Sequence, residues 1–283
     1  VGRGEAETVW RPSGLERGGS AVPLTAFQSE LGRLLADNRS EDSYLAGGAA
    51  ILAAPNTQRI SHDIDYFQDS VQRVASAFEA DRTSLEGEGL VLEVEISQPG
   101  YVRAVVRRGD DATKIEWAQD STWRFMPVER SEEFGYRLHP IDLATNKVLA
   151  LAGRDEVRDV VDTLYFHEHI LALGPLVWAA VGKDPGYSPL SLLEMLRRRA
   201  KLRPEELGRL QLVDPLDPTQ AKAQWNAAVD SADAFVRSRP PDEAGCLYYS
   251  TVEGKFVDPT GSPDATVPHF ARPGGVLPRA LDE

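Results

Sequence analysis

The sequence predicts an α+β fold: a mixed sheet in the N-terminal half, then a mainly helical C-terminal part. Two observations carry this. Residues 44–127 hold short runs rich in Val, Ile, Tyr and Trp, alternating with polar residues and separated by Gly, Asp and Ser. Helix-spaced apolar residues flank those runs and dominate after Pro140. The boundary between the two parts falls near residue 135.

Each element has its own reason. Leu24–Asn38 carries apolar residues at Leu24, Phe27, Leu31, Leu34 and Leu35, the spacing of one helix face. Tyr44–Ala54 reads as a short strand, a Gly47-Gly48 turn and a short helix stopped by Pro55. "HDIDYF" is a strand by its Ile, Tyr and Phe, and Asp69–Asp81 a helix capped by Asp69 or Ser70. Strands follow at Leu90–Ile96, Tyr101–Arg107 and Thr113–Ala118, with a weaker one at Thr122–Pro127. Pro140 suits the first position of a helix. Further helices are expected at Arg154–Ala172, near Ser188–Lys201 and at Pro218–Ser238. The expected organisation is a flexible arm (1–23), a core (24–135), a helical domain (136–238) and an irregular Pro/Gly-rich segment (239–283).

Bulk properties exclude several classes. The chain has 283 residues, 42% of them hydrophobic, enough for one large domain or two ordinary ones. A formal charge of -13 gives no sign of a general nucleic-acid coat or a lipid-headgroup binder, and no DNA partner is expected. With Cys246 alone there is no intrachain disulfide and no cysteine-based zinc site. The first twenty residues lack a signal-peptide core, and the apolar run Ile170–Val181 is too short to span a bilayer and is broken by Gly174-Pro175. The expectation is a soluble, cytoplasmic protein without a membrane partner.

The chemistry concentrates in "TQRISHDIDYF", Thr57–Phe67. Alternation along a strand puts Asp63 and Asp65 on one face and Ile64 and Tyr66 on the other. Two carboxylates converging there repel unless a divalent cation, such as magnesium, lies between them. Gly47-Gly48 lies sixteen residues before Asp63 at a strand-to-helix turn, where glycines let the backbone approach a phosphate. Arg59 and Ser61 add a cation and a hydroxyl just before the acids.

"GG" followed by "R-I-S-H-D-I-D-Y" resembles the nucleotidyltransferase signature of the DNA polymerase β superfamily. It resembles more closely the AbiEii/MenT group, toxins of type IV toxin–antitoxin systems. That group also carries a helical motif to which "K-V-L-A-L-A-G-R-D-E-V-R-D-V-V-D", Lys147–Asp162, is similar. The resemblance covers roughly residues 44–166. It implies a polymerase-β-like nucleotidyltransferase domain with a helical domain closing its cleft. Asp63 and Asp65 with Glu116 of "TKIEWA" would hold Mg2+, and Gly47, Gly48, Arg59, Ser61 and Lys147 would seat an NTP. Ala49 stands where the group has Ser or Thr, which leaves the phosphates to backbone amides.

Lys147 and Asp162 are implied as active-site residues, with Asp159 beside them. Asp162 would act as a base on the incoming hydroxyl or hold Lys147 in place, and the sequence does not choose. Arg158 and Asp162, four apart, can also pair on a helix surface. Glu93 and Glu95 read as solvent-facing acids of an edge strand. His62 reads as structural, and His139, His167 and His169 suggest no metal. Two basic runs, Arg197–Arg203 and Arg103/Arg107/Arg108, could track a phosphate backbone or be solvated, salt-bridged faces.

The implied activity moves an NMP from an NTP to an acceptor hydroxyl, the 3′ end of tRNA, blocking translation until a cognate antitoxin intervenes. The alternatives are the same chemistry on a small molecule or protein, or a non-catalytic binding subunit.

Overall fold

A computed structural model describes residues 24–52, 61, 63–213, 215–261 and 265–278. The expected arm (1–23), Arg59 and His62 lie outside the described residues. No helix among those described is long and apolar enough to cross a membrane.

The chain is α+β, built on a seven-stranded mixed sheet. The N-terminal elements are α1 (Ala26–Leu35), β1 (Ser43–Ala46), α2 (Gly47–Leu52), β2 (Asp63–Gln68), α3 (Val71–Gly87), β3 (Val91–Gln98), β4 (Tyr101–Arg108) and β5 (Asp111–Gln119). Three short strands follow, β6 (Trp123–Arg124), β7 (Glu129–Ser131) and β8 (Gly135–Arg137). The helices α4 (Pro140–Gly153), α5 (Val157–His169), α6 (Leu173–Ala180), α7 (Pro189–Arg199), α8 (Pro204–Leu207) and α9 (Pro218–Ser238) come next. The chain ends in β9 (Cys246–Ser250), β10 (Lys255–Phe256), β11 (Thr266–Phe270) and β12 (Arg272–Pro273).

Local chemistry explains the helix starts. Thr25 and Gln28 form a capping box on α1, Ser70 accepts from the Arg73 amide at α3, and Asp217 caps α9. His139 caps α4 by accepting from the Ile141 amide at 3.1 Å, just before Pro140.

The large sheet runs β3-β4-β5-β2-β1-β8-β7. β2 pairs antiparallel with β1 and parallel with β5, which places the D-x-D strand near the centre. Ile64, Tyr66, Ile115 and Trp117 are fully buried on the face opposite the acids. Behind that face Trp117 Nε1 donates to Asp81 Oδ2 at 2.7 Å, and Asp81 is ion-paired with the buried Arg39. One large hydrophobic core is shared by sheet and helices, and Val157, Val161 and Leu207 form a second, small cluster.

Several expectations need correction. The segment after Arg239 is not irregular throughout: β9 is the middle of a three-stranded antiparallel sheet, β10-β9-β11. β12 pairs with β6, and the His269 ring lies 2.7 Å from the Phe125 carbonyl, so this segment packs back onto the core. The strand at Thr122–Pro127 shrinks to Trp123–Arg124, and the helix at Arg154–Ala172 to Val157–His169. Gly174-Pro175 does not prevent a helix, because both lie in the first turn of α6, where amides have no intrahelical acceptor.

Candidate active site

Strand alternation delivers Asp63, Asp65 and Phe67 to one side of β2, where they line a cleft of about 490 Å3. β5 lies parallel and in register, so Asp63 is opposite Lys114 and Asp65 opposite Glu116. β4 adds Arg103 opposite Glu116. The facing wall is α4, which contributes Leu143, Asn146, Lys147 and Ala150, a spacing that lies on one helix face. Gly47, Gly48, Ser61, Arg154 and Arg158 also line the cleft.

The glycine turn is fitted to Asp65. The Gly48 amide donates to Asp65 Oδ2 at 3.2 Å. Gly47 has φ +60°, and a Cβ there would lie 1.9 Å from that same oxygen. Only glycine combines this backbone conformation with so close a carboxylate.

The carboxylates are strained against one another. Burial, then repulsion from Glu116 and Asp63, raises the Asp65 pKa above the ordinary carboxylate value, and Lys147 and the Gly48 amide oppose the rise. Asp63 Oδ2 meets the Lys114 ammonium at 3.0 Å. Glu116 Oε1 accepts from Arg103 Nε at 2.9 Å, with Lys114 3.8 Å away.

A second charged layer joins α4 to α5 at the edge of the cleft. Lys147 is buried, and its Nζ lies 3.0 Å from Asp159 Oδ1 and 2.9 Å from Asp162 Oδ2. Arg154 Nε holds Asp159 Oδ2 at 2.6 Å. Burial works against the Asp159 charge, yet Lys147 and Arg154 bring its pKa down to about 2. Asp162 is therefore not a surface residue of α5: it is buried and braces the cleft lysine. That geometry matches the holding role and gives Asp162 no place on the cleft lining.

The donor set suits a hard divalent cation. Among the described residues no group of three or more His, Cys, Asp or Glu is gathered to hold an ion. Mg2+ in phosphate chemistry needs only one or two carboxylates, with substrate oxygens and water completing its octahedron. Asp63 and Asp65, adjacent on one strand face and mutually repelling, meet that requirement. Glu116 lines the same cleft but is engaged by Arg103.

Ser61 is buried beside the acids, its Oγ 3.4 Å from the Asp63 carbonyl. Glu93 and Glu95 sit on the exposed edge strand, with Glu93 paired to Arg107 at 3.2 Å. The basic run from the end of α7 to the start of α8 is largely paired with acids: Arg203 meets Asp155 at 2.6 Å, Arg197 meets Asp233 at 3.5 Å, and Arg198 meets Glu194. Sequence reasoning missed Lys114, although its two-residue spacing from Glu116 puts it on the same strand face. It also missed Asp120, Asn146 and Lys183, which only the folded chain brings together.

No protein-family model matches the sequence, and no curated protein matches it. Solved structures do. The chain is similar to MenT4, a nucleotidyltransferase toxin from Mycobacterium tuberculosis H37Rv, at 17% identity and TM-score 0.48, over 76% of this chain and 83% of that one. It is similar to an H. pylori protein described as a putative nucleotidyltransferase, at 17% identity and TM-score 0.43, over 76% of this chain and 98% of that one. It is also similar to JHP933 from Helicobacter pylori at 14% identity and TM-score 0.42, over 75% and 91% of the two chains.

Proposed function

We propose that this cleft transfers a nucleoside monophosphate from an NTP to an acceptor hydroxyl. The supporting observation is the register of β2 and β5, which sets Asp63 and Asp65 beside Glu116 and across from the buried Lys147. The acceptor hydroxyl gives its proton to water as its oxygen attacks the α-phosphorus, the bond from that phosphorus to the bridging oxygen breaks, and pyrophosphate leaves. Little covalent work falls to the protein, so catalysis is positioning and charge neutralisation.

Asp63 and Asp65 would hold Mg2+, which neutralises phosphate charge when bound. Lys147, fixed by Asp159 and Asp162, aims its ammonium at the phosphates as a point charge. Arg154 and Arg158 border the same space. Gly47 and Gly48 let the phosphates approach the backbone.

The resemblance of both motifs to the AbiEii/MenT group supports the 3′ end of tRNA as acceptor, translation arrest as outcome and a cognate antitoxin as partner. The alternative of a small-molecule or protein acceptor is favoured by one observation, the pairing of Arg197, Arg198 and Arg203 with acids. The test is incubation with each labelled NTP, Mg2+ and total cellular RNA, beside Asp65→Ala. Label entering RNA with the wild type alone is the expected result; no label at any nucleotide overturns the RNA reading.

A further inference from the structure

One end of the cleft is unlike the other. Beyond the charged residues, β2 presents the half-buried ring of Phe67 and α4 the side chain of Leu143. Past them stands Asp120, whose amide donates to the Gln68 carbonyl at 2.9 Å, level with the far end of β2. Asp120 lies four residues beyond Glu116, about 13 Å at the strand rise, and keeps the same parity. The cleft thus passes from a polyanion site to an apolar shelf to a single carboxylate.

That carboxylate is held by a relay whose direction has only one solution. The side chain of Lys183 is only 4% exposed, pairs with the fully buried Asp142 at 2.9 Å, and donates to Asn146 Oδ1 at 2.6 Å. An ammonium cannot accept, so the Asn146 amide must place its oxygen toward Lys183. Its Nδ2 then donates to Asp120 Oδ2 at 3.1 Å. Asp142 is itself fixed by the amides of Phe125 and Met126, each at 2.9 Å. The remaining lone pairs of Asp120 are available to a ligand, and they only accept.

We propose that Asp120 reads the base of the nucleotide and selects guanine; this rests on the nucleotidyltransferase reading of the cleft. The ring lies on Phe67 and Leu143 while the Asp120 carboxylate accepts from its edge. Guanine alone among the standard bases puts two N–H donors side by side, N1–H and the 2-amino group. Adenine and cytosine would turn a ring-nitrogen lone pair toward the carboxylate, and uracil flanks its one N–H with two carbonyls. Asp120 is half-buried, and once a base closes over it an acceptor facing an acceptor is disfavoured, so the site rejects as well as selects.

The test is equilibrium binding of GTP, ITP, 2′-deoxy-GTP, ATP, CTP and UTP with Mg2+, to the wild type and to Asp120→Asn. The wild type should bind GTP at least about tenfold tighter than the other standard nucleotides. ITP, which lacks the 2-amino group, should bind several-fold more weakly than GTP, and 2′-deoxy-GTP nearly as well as GTP. In Asp120→Asn the new amide oxygen faces Asn146 and its NH2 faces the cleft. GTP binding should then fall about tenfold while ATP binding is unchanged or improved. Equal wild-type affinities, a uniform loss in Asp120→Asn, or a larger loss for 2′-deoxy-GTP than for ITP would overturn the base-reading role. The GTP-to-ITP ratio needs no variant, so a folding defect in Asp120→Asn cannot rescue the idea. Failure of every NTP to bind the wild type would instead sink the nucleotide site itself.

Discussion

Replacing Gly47 with alanine tests the fit between the glycine turn and Asp65. Two costs add. A left-handed φ of +60° costs a non-glycine residue about 1–2 kcal/mol. The new methyl would also lie 1.9 Å from Asp65 Oδ2, 2.5 Å from its Cγ and 2.7 Å from its Cβ. The carboxylate can swing, but Cβ is fixed to the strand, so relief requires β2 or the turn to shift. Overpacking of that kind costs about 1–3 kcal/mol. The sum, about 2–5 kcal/mol, is read by urea unfolding followed by far-UV circular dichroism at pH 7. At about 2–4 °C per kcal/mol, the melting temperature should fall by roughly 4–20 °C. Combining Gly47→Ala with Asp65→Ala removes the Oδ2 and Cγ contacts, so the double variant should lose less than the sum of the two singles. A Gly47→Ala loss below about 0.5 kcal/mol, or strict additivity in the double variant, would refute the argument.

Other outcomes follow from the charged layer that joins α4 to α5. Lys147→Met strands Asp159 and Asp162 without their ammonium and should destabilise the fold by about 3–5 kcal/mol in denaturant melts, with most of the loss remaining when Mg2+ and NTP are absent. Asp159, with its pKa held near 2 against an ordinary 3.8, contributes stability fully present above about pH 4. About 2 kcal/mol should be lost as pH falls from 4 through 2, and Asp159→Asn should flatten that part of the stability–pH curve. Glu93→Gln, on an exposed edge-strand pair with Arg107, should change stability by less than about 0.5 kcal/mol and leave labelling of the acceptor intact.

What could be read in the sequence was local. The period-2 pattern of "HDIDYF" already separates Asp63 and Asp65 from Ile64 and Tyr66, because a strand's two faces are written in consecutive residues. Spacing in "TKIEWA" likewise puts Glu116 opposite Trp117. That Glu116 lies beside Asp65, with Arg103 across from it, depends on pairings with β2 and β4 that no single segment encodes. Asp162 was legible as a partner of the helical motif but not as a buried one, since i,i+4 spacing describes only its own helix and burial comes from α4. Asn146 and Lys183 are 37 residues apart and meet through the packing of two segments. The strands of the last segment were hidden for a related reason: β9 is five residues long, sits among Gly and Pro, and gains its meaning only from β11 and β10 on either side.

The bond from the Trp117 indole to Asp81 looks remote from the cleft, since it lies on the other face of the sheet. It bears directly on accuracy of assembly. A slip of β5 by one residue against β2 would turn Trp117 into the cleft and Glu116 into the core, exchanging a large ring for a charge. The indole would then lose its acceptor, and Asp81 would lose one of the donors that satisfy it. A misaligned chain would thus be penalised on both faces at once, by a ring in water and a carboxylate in oil. The two strands that bring three acids together are proofread from behind by a residue that never reaches the cleft.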